Sequence, residues 1–185
     1  GGQIAREFGS AGRGLLALAV EARTTPLAVL IALVRAVLHR YTGATDITLG
    51  TVVSGRDEPG LEDQIGFFVN TLALRDPIDG ADRFADVVAR SAGTLGEALA
   101  HATYPFERIV DALAIGREPG RTPLFDVLVT MEEELPRPVF GSASVSRLGD
   151  LAVSRHFDLT FFFRATDDGL ALVVEYDGDL FDAWR

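Results

Sequence analysis

Apolar positions recur most regularly between Leu27 and Tyr41, where Leu27, Leu30, Ile31, Val34, Val37, Leu38 and Tyr41 stand three or four residues apart. That spacing predicts a helix with one broad buried stripe. Thr24-Thr25-Pro26 supplies a cap followed by proline near the first helical position, and Gly43 supplies a stop. A second helical pattern, from about Asp82 to Ala100, turns Phe84, Val87, Val88, Leu95 and Leu99 to one side. Pro105 breaks the chain after His101-Ala102-Thr103-Tyr104 and opens a shorter helix with Phe106, Ile109, Val110 and Leu113 inward. Leu15 to Arg23 reads as a further short helix.

The strand-like runs are Asp46 to Val53, Ile65 to Arg75, Leu124 to Met131, His156 to Arg164 and Leu170 to Asp177. Thr166-Asp167-Asp168-Gly169 joins the last two as a hairpin, and Gly50 marks a bulge or a close approach of another backbone. Four or five strands with helices between the early ones predict an α/β fold, a mixed sheet with helices mainly on one face. Residues 1–23 read as a flexible lead-in and a short helix, and 24–185 as the folded unit. The GSAGRG run at 9–14 matches neither dinucleotide-binding nor P-loop spacing. The segment 135–154 reads as an excursion or arm. A last helix begins near Gly178, and the end at Arg185 reads as a truncation.

Asn70 and Thr71 stand in the middle of the apolar run IGFFVNTLALR at 65–75. In a strand covered on both faces Asn70 must find a partner in a neighbouring loop or line a cavity, because an unpaired buried amide costs about 1–3 kcal/mol. The polar connection Ser54 to Gln64 is too long for a tight hairpin, and loops of that length are often functional. Ser54 has neither a Gly-x-Ser-x-Gly elbow nor an adjacent histidine, so it is not read as a nucleophile. Arg56 is placed to fix a carboxylate across that loop.

Composition narrows the partners. The net charge of −10 comes from 17 basic residues, all arginine, against 27 acidic ones, which argues against a nucleic-acid surface. The chain contains no cysteine, which excludes disulfides, thiolate zinc sites and a cysteine nucleophile and suits a reducing cytoplasm. The most apolar helix is about a dozen residues long and holds Arg35, whereas a membrane span needs about 20. The opening residues lack the apolar core of a signal peptide. His39, His101 and His156 are isolated, with no metal-ligand spacing.

Three segments in order, IGFFVNTLALR at 65–75, HATYPFERIV at 101–110 and REPGRTPLFDV at 117–127, resemble the condensation domains of nonribosomal peptide synthetases. RYTGATDITLGTVVSGR at 40–56, HFDLTF at 156–161 and YDGDLFD at 176–182 extend the resemblance over nearly the whole chain beyond Thr24. It implies one of two lobes resembling chloramphenicol acetyltransferase, here the C-terminal, acceptor-side one. Between the lobes runs a tunnel served by donor and acceptor carrier proteins. The family's His-His-x-x-x-Asp-Gly motif belongs to the N-terminal lobe and does not occur here, so no catalytic residue is assigned and this segment alone is expected to be inactive.

The implied chemistry is attack of a carrier-bound aminoacyl amine on a donor thioester, giving an amide. No cofactor or metal is expected on the chain itself, the substrates being carried on phosphopantetheine of the partner carrier proteins. By motif match Asn70, Thr71, Phe68, Ser54 and Arg56 would line the tunnel. Loop 54–64 would reach beneath it, and the arm at 135–154 toward the N-terminal lobe. Arg117 and Arg121, beside Glu118, form either a structural ion-pair cluster or a docking point for an acidic carrier protein. The partners implied are the N-terminal lobe and the two carrier proteins, with no nucleic acid or membrane. The alternative is a non-catalytic condensation-like module that recruits a tailoring enzyme or docks carrier proteins.

Overall fold

The computed structural model describes residues 1–56, 59–61, 63–116, 121–132, 141 and 157–182. In chain order these form β1 (Gly2–Phe8), α1 (Gly9–Glu21), α2 (Pro26–Thr42), β2 (Asp46–Val53), β3 (Asn70–Pro77), α3 (Phe84–Ala100) and α4 (Phe106–Ala112). Three further strands follow, β4 (Val127–Glu132), β5 (Leu159–Thr166) and β6 (Gly169–Tyr176). The strands make one mixed sheet in the order β1-β6-β5-β4-β2-β3. β4 runs parallel to both β2 and β5, and the other neighbours are antiparallel.

Helix α2 has the ends its sequence predicts. Thr25 Oγ1 accepts from the Ala28 amide, Pro26 is the first helical residue, and Gly43 closes the helix in the left-handed conformation (φ 71°). His39 Nδ1 lies 2.7 Å from the Ala44 carbonyl just beyond that end, a structural contact. Helices α1, α2 and α3 cover one face of the sheet. There Val29, Leu30 and Val34 of α2 and Val87, Val88 and Leu95 of α3 share one core with Leu49, Leu72, Leu74, Val129, Phe163 and Leu170. Each such side chain contributes about 1.5–3 kcal/mol by leaving water.

Two expectations change at the strands. The lead-in is ordered as β1, paired antiparallel with β6 from Gly2↔Tyr176 to Phe8↔Leu170, and as α1, whose Gly12 lies against Leu170. Its sequence alternates weakly, and the edge of β6 makes it a strand. The run at 65–75 is a strand only from Asn70 onward. Ile65 and Phe67 lie in the connection before β3, fully exposed and 91% exposed. Apolar character reports surface awaiting a cover, and here none comes from the described residues. The arm at 135–154 apart from Gly141, together with Arg117, Glu118, His156 and the last three residues, lies outside the described residues. Gly178 to Leu180 form a turn after β6 rather than the start of a helix.

A polar cluster that periodicity does not reveal sits inside the core. Arg35 of α2 is fully buried, with Nη1 2.8 Å from Asp76 Oδ2 of β3 and Nη2 donating to the Leu74 carbonyl at 3.1 Å. Arg35 also donates to Ser91 Oγ, and Thr94 Oγ1 donates to Asp76 Oδ1, each at 2.5 Å. Asp76 Oδ2 and Arg35 Nε make no hydrogen bond, so the 2.8 Å approach is coulombic rather than directional. Burial pulls the Arg35 pKa below its ordinary value, Asp76 opposes that shift, and Arg90 adds to it. One ion pair thus ties α2 and α3 to the far end of β3.

Candidate functional site

Strand parity separates the two polar residues of the NT pair. Asn70 shares the helix-covered face with Leu72 and Leu74, whereas Thr71 lies on the opposite face, where it pairs with Val52. Asn70 faces the chain where Pro105 has broken the helical run between α3 and α4. Its Nδ2 donates to the carbonyls of Ala102 (2.7 Å) and Tyr104 (2.8 Å), and its Oδ1 accepts from the Phe106 amide at 3.2 Å. Both amide hydrogens are therefore spent on the turn. Of the two open readings, the loop partner is the one realised, and Asn70 has no donor left for a substrate in this arrangement. His101 is exposed in that turn, and its carbonyl accepts from the Tyr104 amide.

On the opposite face, Gly50 of β2 is the seat of an aromatic cluster. A Cβ added there would fall inside the Phe125 ring, so any larger residue evicts Phe125. Phe125 is 3% exposed. Phe157 stacks on it at 5.4 Å, and Phe106, at the start of α4, meets it edge-on at 5.7 Å. Such pairs contribute about 0.5–1.5 kcal/mol each beyond area burial. The close approach expected at Gly50 is real, but it is made by a side chain rather than by a backbone, and β2 pairs there without a bulge. These phenylalanines were missed as site residues. Their signal lay in YPF, LF and HF, where an aromatic follows a break in each motif rather than continuing a periodic element.

Beside the cluster, Arg121 donates to Asp126 from Nε (3.3 Å) and Nη2 (2.7 Å). The pair borders an open pocket of about 300 Å³ with Ile115, Pro123, Leu124 and Phe125. The ion-pair cluster expected of Arg121 with Arg117 and Glu118 falls largely outside the described residues, and within them the partner of Arg121 is Asp126. Asp158 lies next to it, its amide donating to the Asp126 carbonyl at 3.0 Å. Burial, with the charges of Asp126 and Asp177, pushes the Asp158 carboxyl up, against the pull of Arg121.

In the β2–β3 connection Ser54 is exposed, whereas Arg56 and Phe68 are half-buried and in contact. Among the described residues Arg56 donates to loop carbonyls, and the loop carboxylates Asp57, Glu58 and Glu62 lie outside them. No helix among the described residues covers the remainder of the second face, where Val52, Thr71, Ala73, Thr130, Phe162 and Val173 are all only half-buried.

A mixed sheet covered by helices on one face is the architecture of a chloramphenicol-acetyltransferase-like lobe. Solved condensation domains share it. The first condensation domain of the CDA synthetase superposes with a TM-score of 0.74 at 24% identity over 98% of this chain and 41% of its own. A four-domain nonribosomal peptide synthetase solved with AMP and glycine gives 0.85 at 25% identity over 99% of this chain and 15% of its own. The X-domain from teicoplanin biosynthesis gives 0.83 at 30% over 98% and 43%.

The Condensation domain family profile matches residues 8–184, and the chain belongs to that family. It is 38% identical to phosphinothricin tripeptide synthetase PhsB of Streptomyces viridochromogenes over 94% of its length. It is 33% identical to surfactin synthase subunit 1 of Bacillus subtilis over 89%. The chain spans 15% and 5% of the lengths of those two relatives.

Proposed function

We propose that this chain is the acceptor-side lobe of a condensation domain that forms an amide bond between carrier-protein-bound aminoacyl or peptidyl thioesters. The observation that carries the reading is the family match over residues 8–184 together with 38% identity to a peptide synthetase. The amine nitrogen bonds to the donor thioester carbonyl carbon, and the C–S bond breaks. The departing donor thiolate takes up the proton that the amine gives up. Alignment of the two reactants is worth about 7–11 kcal/mol at best, and a positioned base about 10²–10⁴-fold in rate.

The base belongs to the histidine-bearing lobe, since His39 and His101 each stand alone here. The half-buried second face of the sheet would be this lobe's share of the tunnel wall. Thr71 is paired through its backbone with β2, and its hydroxyl on that face makes no hydrogen bond among the described residues and would be the group offered to a pantetheine amide. Asn70 acts one step back, by holding the turn that carries Phe106. Arg121, and by motif Arg117, would meet an acidic carrier protein at the rim.

The test uses the intact domain with loaded donor and acceptor carrier proteins and mass detection of the dipeptidyl product. Product that requires both carriers supports the reading. A second reading is favoured by one observation: an X-domain 31% identical to this chain was solved in complex with OxyB. Absence of product, with saturable binding of a tailoring enzyme, would replace catalysis by recruitment. The same choice is open to inspection in the polypeptide: a His-His-x-x-x-Asp-Gly motif in the companion lobe belongs with catalysis.

A further inference from the structure

Among the described residues of the connection between Val53 and Asn70, one side chain reaches across to several backbone carbonyls. Arg56 Nη1 donates to the Leu61 carbonyl and, at 2.8 Å, to that of Gln64, while Nη2 reaches the Gly66 carbonyl at 3.4 Å. The guanidinium carbon also lies 4.5 Å from the centre of the Phe68 ring. Only a planar fork of five donors spans carbonyls this far apart while stacking on a ring, so lysine is not its equivalent. At the neck of the loop Gly55 is left-handed (φ 61°), and an added Cβ there would strike the Phe68 carbonyl. Gly55 and Phe68 thus close the loop, and Arg56 fills it.

Along the returning segment of this loop Phe68 is turned inward between two outward residues, and an added Cβ on Gly66 would meet the Phe68 ring. Ile65 and Phe67 are almost wholly in water and Val69 is 44% exposed, whereas Phe68 is half-buried beneath Arg56. Successive side chains of an extended segment point to opposite sides. The guanidinium grips the inner side, and the outer side is left as an uncharged ridge. Ordering a loop so as to hold apolar side chains out in water stabilises nothing by itself. It has a use when the ridge meets an apolar partner already in place.

We infer that Arg56 is a positioning residue, which sets Ile65, Phe67 and Val69 as a preformed ridge against the companion lobe of the condensation domain. The inference rests on the proposed condensation reading. The occupant is argued from size and chemistry. The chain matches 41% and 43% of two solved members of this fold, leaving more than half of each beyond the match. A ridge with no charge calls for an apolar counterpart rather than for an acidic carrier protein.

Two measurements test this, one on each link. Limited chymotrypsin digestion of this chain reads the clamp. Arg56→Ala should raise cleavage after Phe67 or Phe68 about tenfold, Arg56→Lys should fall between, and cleavage in the folded body should stay unchanged. In the intact domain, Arg56→Ala and Phe67→Ala should each lower kcat for dipeptide formation about tenfold, with KM for the loaded acceptor carrier nearly constant. Phe67→Ala should do so without loosening the loop around Phe68. Unchanged digestion of Arg56→Ala overturns the clamp. A loosened loop with an unchanged kcat overturns the positioning role. An unsubstituted intact domain that makes no dipeptide overturns the condensation reading instead, and the digestion still decides the clamp.

Discussion

The buried core and the loops spend polar groups in opposite ways. Under the helices, Arg35, Asp76 and Ser91 are drawn out of water and, with the half-buried Thr94, partner one another across three elements. On the opposite face Phe106, Phe125 and Phe157 gather over Gly50, beside the buried Leu128. Asn70, on the helix-covered side at the start of β3, and Arg56, in the β2–β3 connection, instead bind backbone carbonyls of loops. A charge buried in a rigid layer serves the register of that layer. An amide or guanidinium that satisfies loop carbonyls serves the shape of a surface. Substitutions in the buried ion-pair cluster should therefore be felt mainly in stability, and those of the loop-binding residues mainly in activity.

The largest effect expected is at Asp76. Asp76→Ala leaves Arg35 charged in the core and should cost about 3–5 kcal/mol in urea unfolding, while Arg35→Met combined with Asp76→Leu should recover most of it. A loss below about 1 kcal/mol for the single variant would erase the contrast between core and loops. Next comes Gly50→Val, which should displace Phe125 at a cost of about 1–3 kcal/mol and shift the ring resonances of Phe106 and Phe157. Unmoved rings would mean that Gly50 is not their seat.

Asn70→Ala should cost about 1 kcal/mol and slow dipeptide formation in the intact domain, since three backbone groups of the turn lose their partner at once. Asn70→Asp retains the acceptor for the Phe106 amide but neither donor and should be only partly active. A single-turnover rate unchanged in Asn70→Ala would remove the turn from the site. The smallest effect concerns pH. The Asp158 carboxyl is raised in the folded state, so the folded chain holds its proton longer, and stability falls as pH rises from the ordinary carboxylate pKa through the raised one. Asp158→Asn should flatten that part of a stability-versus-pH curve and be slightly stabilising at neutral pH. A steeper curve would reverse the sign assigned to its surroundings.

Helix α2 was legible to the residue at its start, and the β5–β6 hairpin nearly so, because caps, proline, glycine and period are local signals. The family was legible from ordered motifs. What the motifs did was harder to read. Asn70 had been placed at a tunnel wall by match, yet its parity on β3 turns it toward the α3–α4 turn. Arg35 looked like a reason to doubt a membrane helix and proved to be a core residue, because its partner stands 41 positions on in another element.

Local pattern by itself determined where most helices and strands run, which helix faces are apolar, and that residues 65–69 carry surface to be covered. Tertiary structure decided that the opening residues become an edge strand on β6, that Asn70 and Thr71 face opposite ways, and that Phe106, Phe125 and Phe157 meet on Gly50. The physical reason is range. Caps and periodicity act over a few residues, whereas pairing register and the partner of a buried charge are set by contacts between segments that only the closed sheet brings together.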